Sequence, residues 1–189
     1  MDLIKQQEEL QEEGRKVLDK LRILEILSKF GSPKIVGSFA TDLMTWRDID
    51  IELEKEIQDE EYWEAVNQLF YEQSLKYLTL INFKHSKNPV TPKGLYIGIK
   101  YWLENKEWKI DVWFIQPRPR NSENMNEWIK DKLNDQNRKV ILEIKSQIQD
   151  SSKYKKEIFS VDVYKGVIED KVQNLEDFKN YLAKTGRSL

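Results

Sequence analysis

IVGSFATDLMTWRDIDIEL, residues 35–53, is the stretch around which the other elements of the chain can be arranged. Its last six residues alternate between acidic and aliphatic side chains, which is the period of a strand with one buried face. Asp48, Asp50 and Glu52 then point to one side of the strand. Residues two apart lie about 6.6 Å apart along a strand, so both aspartates can reach a shared cation. A divalent metal ion is the usual means of holding adjacent carboxylates together.

Two further segments complete the pattern. Lys34–Val36 reads as a short strand that ends at Gly37 and Ser38, where a glycine lets the backbone approach a ligand and a serine offers a hydroxyl and an amide to phosphate. Residues 108–115 alternate again, with Asp111 opposite an aliphatic face. A charged residue in such an apolar strand needs a partner or a function.

This order of segments resembles the signature of the DNA polymerase β-like nucleotidyltransferase superfamily, particularly its small stand-alone, antibiotic-modifying members. The resemblance implies that Gly37 and Ser38 bind the nucleotide phosphates. It implies that Asp48 and Asp50 hold the metal ion of the triphosphate, and that Asp111 joins them at a second, catalytic metal ion. Oxygen ligands suit Mg²⁺ or Mn²⁺. Asp111 or Glu52 could instead act as the general base, and the sequence leaves this choice open.

Other residues near these motifs are weaker candidates for binding the nucleotide. Arg47, directly before Asp48, is a candidate phosphate ligand, although it could simply balance the acidic cluster. Lys100 and the exposed pair Arg118 and Arg120 are further candidates, with a solvated lysine and a stiff linker as the simpler interpretations. Asp42 departs from the family pattern, in which glycine is frequent near this position.

The composition narrows the function classes. The chain has 189 residues, a net charge of −2, no cysteine and one histidine, His85. Disulfides, thiolate catalysis and cysteine zinc sites are therefore excluded, and His85 is expected in a surface turn. The small negative charge gives no general attraction to phosphate backbones, so a long nucleic acid is not the expected partner. The charged N-terminus and the lack of long apolar runs predict no membrane association and a cytoplasmic location.

The remaining sequence predicts helices on both sides of a sheet. One helix is expected over residues 2–30, with its first dozen residues fraying, and another over 56–75, with Asp59 as N-cap and Tyr62, Trp63, Val66, Leu69 and Phe70 on one apolar face. A strand is expected at 77–83, then a hairpin of Gly94–Leu103 and Trp108–Ile115 joined by a turn at 104–107. From Glu123 onward the spacing is helical.

The predicted fold class is α+β: a small mixed β-sheet of the nucleotidyltransferase fold packed by helices and followed by a C-terminal helical unit. We expect residues 1–120 to form the catalytic core with its N-terminal helix, and residues 121–189 the C-terminal helical region. The simplest rival interpretation makes the acidic strand a solvated edge strand.

The expected function is transfer of a nucleoside monophosphate from a nucleoside triphosphate (NTP) to a hydroxyl of a small molecule or protein. A tRNA acceptor, a non-catalytic nucleotide-binding or regulatory member of the same fold, and an unrelated α+β interaction domain are the alternatives. A P-loop enzyme is excluded, because the sequence lacks Gly-x-x-x-x-Gly-Lys-Ser/Thr.

Overall fold

The computed structural model describes residues 2–72, 75, 77–88, 91–117 and 122–189. Within these ranges five strands form one sheet: β1 (Lys34–Val36), β2 (Asp48–Glu54), β3 (Tyr77–Asn82), β4 (Gly94–Leu103) and β5 (Lys106–Ile115). The helices are α1 (Leu3–Leu21), α2 (Ile23–Ser28), α3 (Gly37–Ala40), α4 (Asp59–Asn67), α5 (Ser122–Lys132), α6 (Asp135–Ile148), α7 (Ser160–Ile168) and α8 (Leu175–Lys184), and a π-helical turn spans Gln68–Glu72. The predicted α+β class is confirmed.

The strands lie in the order β1-β2-β5-β4-β3. β2 pairs in parallel with β5, whereas the other three pairings are antiparallel, so the sheet is mixed. The predicted hairpin of β4 and β5 is confirmed, with a shorter turn at Glu104 and Asn105, both at positive φ. Because β2 lies between β1 and β5, its interpretation as a solvated edge strand is wrong.

The aliphatic face of the sheet packs against α1, α2 and α4 to form the larger of two apolar cores. Ile49, Ile51 and Leu53 on β2 are fully buried there, as strict alternation requires. The opposite face of β2 and β5 carries the acidic residues. The pattern that buries one face of the strand therefore directs the carboxylates to the other face.

A second apolar core lies among helices α5 to α8. Its buried residues include Ile141, Ile144, Val163 and Phe178, together with Leu43 from the segment between α3 and β2. This core supports the proposal of a C-terminal helical region. The proposed boundary at residues 120 and 121, with Arg118 and Arg120 beside it, lies outside the described residues.

The N-terminal helix differs from the prediction in two ways. Arg22 adopts a left-handed conformation (φ 47°) and divides the segment into α1 and α2. The first dozen residues do not fray: α1 begins at Leu3, and Gln7 and Gln11 are buried. Gln11 Nε2 donates to the Phe39 carbonyl oxygen at 2.7 Å, so this helix is anchored through buried amides that hydropathy does not detect.

The helix that follows β2 is also shorter than predicted. α4 ends at Asn67 and continues as the π-helical turn, and its N-cap is Gln58 rather than Asp59. Tyr62 is buried as expected, but Trp63 and Phe70 are exposed, so they do not belong to the apolar face. No helix of the described ranges is long and apolar enough to cross a membrane.

Candidate active site

Three aspartates meet on the face of the sheet opposite the larger core. Asp50 on β2 is the direct register partner of Asp111 on β5. Asp48 lies two residues before Asp50, on the same face of β2. Each contributes a carboxylate oxygen to a group whose members all lie within 4.8 Å of one another. The parallel pairing of β2 with β5 thus brings together residues that are 61 positions apart in the sequence.

The aspartates are more enclosed than the sequence pattern predicts. Asp48 and Asp111 are 8% and 9% exposed, whereas alternation alone predicts an exposed sheet face. Asp48 Oδ2 accepts from Trp46 Nε1 at 3.1 Å and from Lys155 Nζ at 3.2 Å. Asp111 Oδ1 accepts from the Tyr96 hydroxyl at 2.6 Å, and its Oδ2 accepts from Lys109 Nζ. The carboxylates therefore occupy a walled, cation-lined pocket.

The donor set fits a hard divalent cation. Asp48 Oδ1 is buried and has no hydrogen-bond partner among the described residues, which is costly unless a ligand completes it. Burial, together with the charges of Asp48 and Asp111, raises the pKa of Asp50 to about 8, as expected for carboxylates without a compensating cation. Carboxylate oxygens are the ligands that Mg²⁺ and Mn²⁺ prefer.

Two lysines compete with a metal ion for these oxygens. Lys109 Nζ lies 3.9 Å from Asp48 Oδ1 and also pairs with Asp111, while Lys155 pairs with Asp48.

We expect Lys109→Met to tighten Mn²⁺ binding several-fold without nucleotide, because it removes a positive charge about 4 Å from the cation site. Isothermal titration calorimetry with Mn²⁺ measures this effect. Lys100→Met is the matched control, because Lys100 is the register partner of Lys109 on β4 but pairs with Glu107 instead of the aspartates. If Lys109→Met bound Mn²⁺ with the same affinity as the unmodified protein, or more weakly, the expectation would be wrong.

Gly37 and Ser38 lie beside the aspartates, as predicted. They line a pocket of about 270 Å³ together with Asp48, Asp50, Asp111 and residues from β5 and the C-terminal helices. Gly37 has φ +70°, and a Cβ atom there would lie 2.5 Å from Asp50 Oδ2. Its amide donates to Asn126 Oδ1 at 3.2 Å. The structural contribution of Gly37 is therefore the space it leaves for Asp50, whereas Ser38 offers its side chain to the pocket.

The weaker candidates lie away from the carboxylates. Arg47 Nε pairs with Glu13 Oε2 at 2.9 Å, and Lys100 Nζ with Glu107 Oε1 at 3.0 Å. Arg47 thus balances an acid on α1 rather than the aspartates, and its role in nucleotide binding stays a prediction. Asp42 is exposed with φ 56°, so it occupies a left-handed position that suits glycine and that aspartate tolerates. Arg118 and Arg120 fall outside the described residues.

Several pocket residues carry no signal in the sequence pattern. Trp46, Lys109, Lys155, Ser160 and Tyr164 line the same pocket as the aspartates. Lys155 Nζ also lies 4.3 Å from the centre of the Trp46 ring, a cation–π distance. Lys155 belongs to the polar segment that joins α6 and α7, and Ser160 is the first residue of α7. No periodic pattern connects such residues with β2, and tertiary packing alone brings them there.

A fully buried lysine lies behind this pocket. Lys145 on α6 has no exposed surface; its ammonium donates to the Leu43 carbonyl and lies 4.9 Å from the Trp46 ring centre and 3.4 Å from the Tyr164 hydroxyl. Burial, with a contribution from Lys155, lowers the pKa of Lys145 from 10.5 to about 7. An ammonium in this environment is held mainly by a carbonyl and two aromatic rings.

This environment predicts a pH-dependent stability. Between pH 7 and 10.5 the folded chain binds fewer protons at Lys145 than the unfolded chain, because burial lowers the pKa of this lysine to about 7. The unfolded chain binds the extra proton, so this contribution makes the free energy of unfolding rise with pH, by at most about 1.4 kcal/mol per pH unit. We expect Lys145→Met to remove that increase. Urea unfolding of both proteins between about pH 7 and pH 9 measures the difference. Parallel pH profiles would show that Lys145 titrates normally.

Comparisons with known proteins bear on the fold. No protein-family profile and no curated protein sequence match the chain. The structure of the poly(A) polymerase complex GLD-2–GLD-3 aligns with 89% of this chain and 58% of its own, with a TM-score of 0.57 and 15% identity. A structure of Cid1, which has RNA terminal uridylyl transferase activity, aligns with 88% of this chain and 51% of its own, with a TM-score of 0.56 and 16% identity.

The chain thus spans little more than half the length of each neighbour, and identities this low establish the fold alone. That fold brings Asp48, Asp50 and Asp111 together as the sequence motif predicts. The chain therefore has the fold of these two transferase structures, as the sequence resemblance implies.

Proposed function

We propose that this protein is a metal-dependent nucleotidyltransferase that moves a nucleoside monophosphate from an NTP to an acceptor hydroxyl. One observation carries the proposal: Asp48, Asp50 and Asp111 each place an oxygen within 4.8 Å of the others, in a pocket shared with Ser38. The bond from the acceptor oxygen to the α-phosphorus forms as the bond to pyrophosphate breaks. Mg²⁺ or Mn²⁺ held by the three aspartates would neutralise the phosphate and the attacking oxygen.

The residues of the chain have separate tasks in this scheme. Ser38 and Lys155 lie on the pocket wall, where a hydroxyl and an ammonium can bind the triphosphate. Asp111 lies on β5, on the far side of β2 from Ser38, where it could accept the proton of the acceptor hydroxyl instead of binding a metal ion. Glu52, the other candidate base, accepts from the Ser122 hydroxyl at 2.6 Å and does not line this pocket, so the structure favours Asp111.

The acceptor is the open part of the proposal. The acidic net charge favours a small molecule or a protein, as expected from the sequence. An RNA 3′ hydroxyl is a second candidate, and it is favoured by the two structural neighbours, a poly(A) polymerase complex and an RNA terminal uridylyl transferase. The presence of all three aspartates argues against a non-catalytic member of the fold.

A labelled-NTP assay tests the proposal. Each NTP is supplied with the label on the α- or γ-phosphate, with Mg²⁺ or Mn²⁺, and with a panel of antibiotics, proteins, tRNA and single-stranded RNA. We expect the α-label to appear on one acceptor class, the γ-label to leave as pyrophosphate, and EDTA to stop both. Transfer of the γ-label would indicate a kinase instead, and metal-independent transfer would contradict the role of the aspartates.

A further inference from the structure

The order of the strands sets the side from which an acceptor reaches the aspartates. β1 and α3, with Ser38, flank β2 on one side, and β5, with Asp111, flanks it on the other. In the proposed reaction, on which this inference rests, the triphosphate lies against Ser38. In-line transfer places the attacking oxygen opposite the leaving pyrophosphate. The acceptor therefore approaches over β5 and β4.

Beyond Asp111 this side of the sheet is exposed and aromatic. Alternation and register place Thr79, Tyr96, Gly98 and Glu107 on it, together with six residues that we call the aromatic face: Tyr77, Ile81, Phe83, Lys100, Trp102 and Trp113. Tyr77, Trp102 and Ile81 are 58%, 40% and 38% exposed. Large apolar side chains clustered on a surface in this way commonly mark a binding site.

Ring contacts connect the aromatic face with the carboxylates. The Tyr96 hydroxyl donates to Asp111, and the Tyr96 ring centre lies 4.8 Å from that of Trp113. Trp113 stacks on Phe83 at 5.3 Å. At the other end of the face, Tyr77 and Trp102 lie 5.5 Å apart. Phe83 lies six residue steps after Tyr77, a distance of about 20 Å at a rise of ~3.3 Å per residue. The face is therefore long enough for several stacked rings.

The charge of the same segment is unlike that of the rest of the chain. Residues 73–103 contain no aspartate or glutamate, although the whole protein is acidic. The segment does contain five lysines, at positions 76, 84, 87, 93 and 100. Lys100 lies on the aromatic face, where it pairs with Glu107. Lys84, which pairs with Asp59, belongs to the connection between β3 and β4, together with Lys87 and Lys93. Lysines interspersed with aromatic rings match the chemistry of a phosphodiester strand with unpaired bases.

We propose that the aromatic face binds the acceptor as single-stranded RNA. Its bases stack on the exposed rings, its phosphates lie near the lysines, and its 3′ hydroxyl reaches Asp111. A small acceptor would need a concave pocket that buries most of its surface, which a flat sheet face does not provide. A duplex could not use the rings, because its bases already stack inside the helix.

Binding can be measured separately from transfer. The probe is a fluorescein-labelled oligo(A) of about ten nucleotides, in EDTA without NTP, followed by fluorescence anisotropy. We expect the double change Tyr77→Ala and Trp102→Ala to weaken binding about tenfold or more, and Trp102→Phe to retain it. Lys100→Ala should reduce the slope of log affinity against log salt by about 0.7.

Matched controls come from other surfaces of the protein. Trp63 is exposed on α4, which packs on the opposite face of the sheet, and Lys179 pairs with Glu176 on α8 much as Lys100 pairs with Glu107. Trp63→Ala and Lys179→Ala should bind the oligonucleotide like the unmodified protein. Equal losses in controls and test variants, unchanged binding by the test variants, or equal affinity for a duplex or for a peptide would overturn the proposal.

The two proposals fail in different ways. Transfer of the α-label to an antibiotic or a protein, with oligo(A) unbound, would eliminate the RNA-binding face and leave the nucleotidyltransferase. Binding that depends on Trp102 and Lys100, with no transfer to any acceptor, would eliminate the nucleotidyltransferase and leave the binding surface.

Discussion

Replacing Asp50 with asparagine is expected to lower the rate of nucleotidyl transfer by about a thousandfold or more, because a catalytic metal ion contributes several kcal/mol to the transition state. Above about pH 8, the same change should raise the melting temperature of the metal-free protein. Asp50 lies between two other carboxylates, and above its raised pKa of about 8 asparagine removes one of three mutually repelling charges. For a protein of this size each kcal/mol corresponds to about 2–4 °C. α-label transfer and thermal unfolding in EDTA measure the two effects.

This prediction is specific because the rate of transfer should fall while the melting temperature of the metal-free protein rises. A substitution that merely damaged the fold would lower stability and activity together. Glu54→Gln is the control, because Glu54 is an exposed acid on the same strand and outside the carboxylate cluster; it should change neither quantity. Normal turnover by Asp50→Asn would eliminate the metal site, whereas a lower melting temperature would show that the carboxylates do not repel one another.

Alternation in the sequence is sufficient to identify the faces of β2 and β5. It places Ile49 and Ile51 in the core and Asp48, Asp50 and Asp111 together on the other side. Alternation cannot decide which strands are neighbours or in which direction they pair. The family resemblance implies only that Asp111 joins Asp48 and Asp50 at a metal site, and the parallel register of Asp50 with Asp111 is a finding of the structure.

The enclosure of the site cannot be predicted in the same way. Trp46 and Lys155 come from irregular segments, and their contacts with Asp48 depend on how the C-terminal helices pack against the sheet. The local sequence has no periodicity from which such contacts could be predicted. Alternation alone would leave the acidic face exposed, whereas Asp48 and Asp111 are buried by residues that are distant in the sequence.

Lys145 is a case in which the sequence holds a usable signal. It lies at the spacing of Ile141, Ile144 and Ile148, within the apolar stripe of α6. The charge of Asp111 within an apolar strand indicates that this residue has a partner or a function. The same reasoning applies to Lys145, which lies on the apolar face of a helix. The burial of Gln7 and Gln11 on α1 is harder to predict, because their polar sequence surroundings look the same as those of a solvent-exposed glutamine.

The geometry at Gly37 leads to the second large effect. An alanine there would adopt a left-handed conformation, at a cost of about 1–2 kcal/mol. Its Cβ would also lie 2.5 Å from Asp50 Oδ2, a distance that real Cβ atoms do not tolerate. The carboxylate must then move away from Asp48 and Asp111. A misplacement of about 1 Å in a catalytic group can reduce a rate about a hundredfold.

We therefore expect Gly37→Ala to reduce Mn²⁺ affinity and α-label transfer, the latter about a hundredfold, with a loss of stability limited to about 1–2 kcal/mol. Two control substitutions separate backbone strain from the contact with Asp50. Gly186 has φ +73° and a Cβ atom added there would meet nothing within 4 Å, so Gly186→Ala introduces backbone strain alone. A Cβ atom at Gly31 would meet its nearest neighbour at 3.5 Å, which is an ordinary van der Waals contact. Both controls should retain full transfer. If Gly37→Ala also retained it, the close approach of Gly37 to Asp50 would have no catalytic consequence, and Asp50 would not need the position that the metal site assigns to it.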